Sequence, residues 1–355
     1  MRAAVGVSAL SLAGLAAWRG SLRTPRAGGL SGRGPGVIPP FLTPTESFYR
    51  FSNGAPPAEL PATEASVLVG PGAAPRRIAW AELVPLATRR IARTLQCDGN
   101  GYIDGGLATP SPGGCQMARP DDDRARPPPE NWSWRFGGIG TAEWDVVGVG
   151  ELFAALGIEA VGDWLRVEGR DGYQRHFPAE VLADPAFCLA VSMNGQPLPH
   201  GHGAPARLLV PGQYGAMNVK WIQRLTVGPR GESHPFDDGP ESHYPVKPLA
   251  FATMPRDGDS VTGNLELGGV AFAGERAVKS VLLWLDPAEP WEAELLDPGQ
   301  PHVWSRWRST VQIPSGTHEI TVCCIDAGGR YSKAQAAVGD AEGYGGFHTL
   351  TVTVA

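Results

Sequence analysis

Glycine and proline fill close to a quarter of this 355-residue chain, 47 of one and 34 of the other. That frequency constrains the fold more than any single motif. Proline lacks a backbone donor and glycine carries a high entropic cost of ordering, so both belong at turns rather than inside long helices or central strands. A chain cut this often becomes a succession of short segments, and short segments joined by turns pack most readily as β-sheets. Disorder also raises these two residues. Here 42 % of the chain is apolar and 11 tryptophans are present, enough to bury a core over most of the length. The length suits two domains.

Charge narrows the possible partners. The formal net charge of −6 gives no general attraction to nucleic acid or to anionic membranes. Basic clusters are short, Arg76-Arg77 and Arg89-Arg90, and read as solvated faces. At the start, Ala3 to Trp18 is an apolar, small-residue run of 16 positions, shorter than the roughly 20 residues a membrane span needs. It fits the apolar region of a signal peptide, although only Met1 and Arg2 precede it. The expectation is an exported, periplasmic protein whose true start lies upstream, where a twin-arginine pair would sit; a cytoplasmic protein with a disordered leader is the alternative.

Organisation follows from local pattern. Residues 1–40 read as leader and linker. From 41 to 240 strand-like runs such as Ser66 to Val69 alternate with helical ones such as Trp80 to Leu86, and Glu151 to Leu156 has helical spacing closed by Gly157. The expected class is a mixed α+β domain. Between Gly101 and Asn131 a Pro/Gly-rich stretch with Asp121, Asp122 and Asp123 reads as a long surface loop. Residues 241–355 turn mostly β: Ser280 to Leu285, Glu319 to Ile325 and Thr349 to Val354 are separated by turn signals, the pattern of an immunoglobulin-like β-sandwich.

Five cysteines are present, none in a CxxC pair, so zinc-ribbon and thioredoxin-like chemistry has no support. Cys188, Cys323 and Cys324 lie in apolar runs and read as core residues. Cys97 differs: it ends the run Thr94-Leu95-Gln96 and opens onto Asp98-Gly99-Asn100, where a thiolate can reach a metal in a cleft. Alone, such a cysteine is as readily an ordinary buried residue. A second segment changes its meaning. His202, Arg207 and Lys220 fall within one glycine-rich stretch, in which backbone can approach a ligand closely and a guanidinium can fork onto phosphate.

Taken in order, Met193-Asn194-Gly195-Gln196-Pro197-Leu198-Pro199, His202-Gly203-Ala204-Pro205-Ala206-Arg207, Val210-Pro211-Gly212-Gln213-Tyr214-Gly215 and Val219-Lys220-Trp221 resemble the molybdopterin-binding domain of the sulfite-oxidase family. So do Thr94 to Asn100 and Trp134 to Trp144, while residues from Gly269 to Asp326 resemble that family's dimerisation domain. The resemblance implies a molybdenum–molybdopterin cofactor with Cys97 as the metal's thiolate ligand. It implies that Asn53, His202, Arg207 and Lys220 contact the pterin and its phosphate, that Tyr173 hydrogen-bonds near the reacting oxygen, and that Trp134 walls the substrate pocket. It further implies a homodimer and a separate electron-transfer protein such as a cytochrome.

The same comparison exposes departures. Sulfite-specific members of the family surround their dianion with arginines. Here the three corresponding positions carry Phe51, Tyr102 and Glu342, and Asn53 stands where the family has histidine. Arg50 is a neighbour able to restore one charge. Losing three cations, with one becoming acidic, removes several kcal/mol of attraction on the order expected per charge in a partly buried pocket. The expected substrate is therefore a small molecule such as an S-oxide or N-oxide. Sulfite is the alternative, as is a non-catalytic binding protein that kept the fold.

Overall fold

The computed structural model describes residues 36–355 apart from 53–55, 62, 73, 99, 101–115, 118–136, 161, 230–243, 286–287 and 333–344. The leader, Asn53, Tyr102, the triple acid, Trp134 and Glu342 lie outside the described residues. Strands dominate. The alternation of strands and helices expected for residues 41–240 reduces to two α-helices among the described residues, Trp80–Leu83 and Val149–Ala155, with a few 3₁₀ turns. The reason is the spacing of Gly and Pro, which leaves few uninterrupted stretches long enough for helix.

The longer helix shows how sequence sets its ends. Glu151 accepts the Gly148 N–H at 2.9 Å, satisfying a donor at the N-terminus. At the other end Gly157 takes φ +63°. Its N–H reaches the Ala154 carbonyl, and Ile158 N–H reaches Phe153, the paired bonds of a left-handed glycine cap.

Two sheets occupy the first part of the chain. A four-stranded antiparallel sheet runs in the order Arg207–Leu209, Cys188–Ala190, Ile139–Gly148, Arg89–Gln96. A five-stranded sheet runs Arg76–Ala79, Ser66–Pro71, Ile222–Gly228, Trp164–Gly169, Gln174–Pro178, with one parallel pair between Ser66–Pro71 and Ile222–Gly228. Val147, Leu189 and Leu208 from the first sheet pack with Val67, Val167 and Leu225 from the second in one core. The far face of the four-stranded sheet carries a separate cluster of Phe48, Leu95, Trp144, Cys188 and Leu209.

Residues 249–354 form two further sheets. In His348–Val354 the even-numbered residues Leu350, Val352 and Val354 are buried while Thr351 and Thr353 are exposed, the two-residue period of a strand with one wet face. Their partners across the core include Leu265, Leu267 and Trp307. Cys324 lies in this core and Cys323 on its other side with Leu282 and Trp284. Burial pushes the Cys323 thiol up to about 12, so it stays protonated.

The later sheets are bonded to the four-stranded sheet along a seam. Thr94 N–H donates to the His302 carbonyl at 2.9 Å, and Thr94 Oγ1 accepts the Trp304 N–H at 2.8 Å. The indole of Trp304 donates to the Phe41 carbonyl at 2.9 Å. Ile139, Tyr214, Phe251, Val270 and Trp304 fill the space between. Gly212, at φ +66°, permits this approach: a Cβ there would lie 2.6 Å from that of Glu275.

His302 sits in the seam at φ +66°. Burial, reinforced by the positive charge of Arg93, brings its pKa down to about 4 from 6.5. Below pH 6.5 the unfolded chain takes up a proton that the folded chain refuses, so stability falls as the pH drops from 6.5 towards 4 and is unaffected on this account above 6.5. In His302→Asn, where Asn tolerates the left-handed backbone, urea midpoints at pH 7.5 and pH 5 should differ less than in the wild type.

Candidate functional site

Pairing of Arg89–Gln96 with Ile139–Gly148 ends at Gln96, and Cys97 is the first residue beyond it. The Cys97 N–H still bonds to the Gly138 carbonyl at 2.8 Å, and Asn100 N–H closes a turn onto the Cys97 carbonyl at 3.0 Å. The Asn100 side chain accepts the Gly138 N–H at 2.9 Å. An asparagine three residues after the cysteine thus pins the turn that presents the thiol, which is 5 % exposed. Asp98 Oδ1 lies 3.4 Å from Sγ.

The glycine-rich segment arranges the cations. His200–His202 forms a 3₁₀ turn that Gly203 closes at φ +113°. His202 Nε2 is 3.1 Å from the Thr45 carbonyl; a carbonyl can only accept, so Nε2 carries the proton and Nδ1 is an acceptor. Burial, then the charge of Arg207, bring His202 down to about 3, so the ring is neutral at physiological pH. Arg207 is 6 % exposed. It donates from Nη1 to the His202 carbonyl at 3.1 Å, and its guanidinium lies 5.4 Å over the Trp144 ring. Its Nε has no partner among the described residues. Lys220 Nζ reaches the Gly201 carbonyl at 3.5 Å and lies 4.2 Å over the Trp221 ring. Burial, followed by repulsion from Arg207, brings Lys220 down to about 7 while Asp171 draws it back up.

These groups depress one another. Burial lowers Arg207 to about 10, and no carboxylate among the described residues is paired with it. Arg50 adds a further charge to the same neighbourhood, acting on both His202 and Lys220. It packs on Gly201, where a Cβ would come within 3.1 Å of its Nη1. An open cleft is lined by Arg50, Phe51, Ser52, His200, Gly201 and Lys220. Buried cations without a counter-charge are costly, and an anion with several oxygen acceptors relieves that cost. Among the described residues no group of three or more His, Cys, Asp or Glu could hold a metal ion.

Two tyrosines meet the Gly215–Met217 turn beside Cys97, one expected and one not. Tyr173 donates from its hydroxyl to the Ala216 carbonyl at 2.7 Å. Tyr49, which the sequence reading passed over, lies between Cys97 and Arg207 and feels both charges. A Cβ built on Gly215 would lie 3.0 Å from the Tyr49 hydroxyl, 3.4 Å from the Gln96 carbonyl and 3.8 Å from Cys97 Cα. A side chain there would have to push the Tyr49 hydroxyl aside. The Tyr214-Gly215 pair of the sequence motif is therefore the signal of a turn packed directly against the cysteine. Desolvation keeps the Tyr49 phenol protonated.

A family model described as "Oxidoreductase molybdopterin binding domain" matches residues 58–236. The chain belongs to this family of molybdopterin-binding oxidoreductases. Mitochondrial sulfite oxidase of Homo sapiens is 29 % identical over 322 residues, covering 80 % of this chain and 55 % of that protein. Sulfite oxidase of Gallus gallus is 29 % identical over 321 residues, covering 80 % and 66 %. The chain thus spans roughly half to two-thirds of the length of the curated relatives it matches. Among solved structures, the sulfane dehydrogenase SoxCD of Paracoccus pantotrophus superposes with a TM-score of 0.69 at 23 % identity, over 89 % of this chain and 82 % of that one. At that identity the likeness shows the fold.

Membership in this family implies a molybdenum–pterin cofactor, and the donor set agrees with one. A neutral imidazole, an uncountered buried guanidinium and an ammonium suit a heterocycle bearing a phosphate, and the Cys97 sulfur is a soft donor of the kind such a metal takes. Because Arg207 is buried without a carboxylate, Arg207→Met should leave the cofactor-free chain at least as stable as the wild type, judged by thermal melting. The same variant should lose retained pterin, read by fluorescence of the purified protein.

Proposed function

We propose that this oxidoreductase transfers an oxygen atom between water and a small S-oxo or N-oxo compound, with Cys97 as the thiolate ligand of its molybdenum–pterin centre. The reading rests above all on Arg207, a buried guanidinium with no carboxylate beside it among the described residues, set in the cluster with His202 and Lys220. When bound, the cofactor supplies two-electron oxygen-atom transfer, a chemistry that side chains alone do not provide.

The chain's own residues divide the remaining work. Arg207 and Lys220 would hold the pterin's phosphate, and His202 offers Nδ1 as an acceptor to the ring's N–H groups. The turn pinned by Asn100 fixes the direction from which Cys97 approaches the metal. Tyr49 brings a protonated phenol beside the cysteine, able to hold a proton without adding charge, and Tyr173, held on the Ala216 carbonyl, is assigned to the reacting oxygen by resemblance. Asn53 and Trp134 are assigned to the cofactor and the pocket wall by resemblance alone. Residues 41–240 form the cofactor-holding unit of this reading, of the α+β class. Residues 241–355 form an immunoglobulin-like sandwich through which two copies would pair. A separate protein such as a cytochrome exchanges two electrons with the centre, supplying them when an oxide is reduced and taking them when the substrate is oxidised, and the apolar run at residues 3–18 favours export.

Sulfite itself is the second reading, favoured by the names of the relatives. Phe51, Tyr102 and Glu342, at positions where sulfite-specific members carry arginine, weigh against it.

Purified from a cofactor-competent host, the wild-type chain should contain molybdenum by metal analysis and pterin by fluorescence. Cys97→Ser should keep the pterin and lose turnover. With a redox dye, S-oxides or N-oxides should be turned over more efficiently than sulfite. A chain without molybdenum, or a fully active Cys97→Ser variant, would refute the assignment.

A further inference from the structure

Asp98 follows Cys97 in the chain and turns its carboxylate back onto it. Its Oδ1 lies 3.4 Å from Cys97 Sγ, and its Oδ2 accepts the Tyr244 hydroxyl at 3.4 Å. The side chain is half-buried. Among the described residues no arginine or lysine forms an ion pair with it. Nor does the turn need a carboxylate here. The Asn100 amide and side chain close that turn, while both Asp98 oxygens face side chains. Its charge is felt beyond its own contacts, for it helps to keep the Tyr49 phenol protonated.

The positive groups gather elsewhere. Arg207, Lys220 and Arg50 act together on His202, at the end proposed for the pterin's phosphate. Near Asp98 the neighbours are phenols: the Tyr244 ring lies 5.0 Å from that of Tyr214. A carboxylate without a cation, set among aromatic rings, attracts positive charge and repels negative charge. Coulomb forces reach several ångströms in a half-buried site. A substrate reacting at a centre held by Cys97 therefore enters this field without having to touch Asp98. A dianion is opposed. An oxide whose oxygen sits on a positively charged atom is favoured, and an amine N-oxide has that structure.

We infer that Asp98 is a specificity-determining residue, which turns oxyanions away from Cys97 and selects an amine N-oxide. The inference rests on the reading of Cys97 as the reaction centre and narrows its substrate class to N-oxo compounds. Reduction breaks the N–O bond: two electrons from the electron-transfer protein and two protons from solvent convert the N-oxide to an amine and water. The amine takes one more proton from solvent and leaves as a cation.

The test reads binding by ligand-observed NMR, on the full chain purified from a cofactor-competent host. Tetramethylammonium is a cation shaped like trimethylamine N-oxide, tert-butanol is an uncharged molecule of similar shape, and sulfite is the anion. Asp98→Asn removes the charge and keeps the shape, whereas Asp98→Glu keeps the charge. In Asp98→Asn, tetramethylammonium should weaken and sulfite should tighten, each about tenfold, the scale of one unpaired charge in a half-buried site. Binding of tert-butanol should change by less than about twofold, and Asp98→Glu should keep the wild-type order. A role confined to holding the turn would move all three probes the same way. That result overturns the inference, as does no change in any probe, a wild type that binds no cation, or a metal-loaded wild type that prefers sulfite to tetramethylammonium. Should Asp98→Asn fold poorly by thermal melting, Asp98→Ser carries the same expectation. Molybdenum content of the same preparation separates the two failures: a metal-free chain refutes the proposed function, while tetramethylammonium against tert-butanol still decides the role of Asp98.

Discussion

Arg207 holds a full positive charge where water barely reaches it, and much of the surrounding architecture follows from that. The His202 carbonyl takes one of its protons, the Trp144 ring covers its face, and Lys220 stands close enough to be pushed towards neutrality. A guanidinium cannot shed its charge as a lysine can. Burial first, and its charge second, keep His202 neutral and bring Lys220 down to about 7. Such a cluster is unfavourable as a free-standing core and becomes favourable around a phosphate. The first part of the fold carries a built-in demand for an anion.

The second dependency runs through the backbone around Gly215. The Cys97 turn, the Tyr49 hydroxyl and the Gln96 carbonyl all converge where a side chain at 215 would lie. One residue later the Ala216 carbonyl collects Tyr173 and Arg175. Polar groups from three separate segments are thereby referenced to one short stretch. Where charged groups are fixed relative to a nucleophile or metal ligand in this way, geometry rather than net charge decides what is bound.

Motifs with a backbone reason behind them were the most legible in the sequence. The glycine of Tyr214-Gly215 is required by close packing, Asn100 by the turn after the cysteine, and Gly157 by the helix end. The two-residue period of His348–Val354 gave the later strands. Trp80 to Leu86 is helical as its spacing suggests, but Pro85 ends the α-helix after four residues and the segment finishes as a 3₁₀ turn, so little α-helix results. Tyr49 lies in no spacing pattern that signals chemistry, and its proximity to Cys97 arises from packing between segments far apart in sequence. Asn53 and Trp134 fall outside the described residues.

Thr94 has a consequence for how the molecule is taken apart. It lies three residues before Cys97, on the strand that leads into it, and both its amide and its hydroxyl are bonded to the chain at His302 and Trp304. The junction between the early and late sheets is consequently a joint rather than a tether. Swapping or trimming the C-terminal sheets would unload the very strand that aims the thiol, so damage planted far from Cys97 would be felt as a misdirected sulfur. Inherited or engineered changes around Trp304 belong, in mechanical terms, to the turn that presents Cys97.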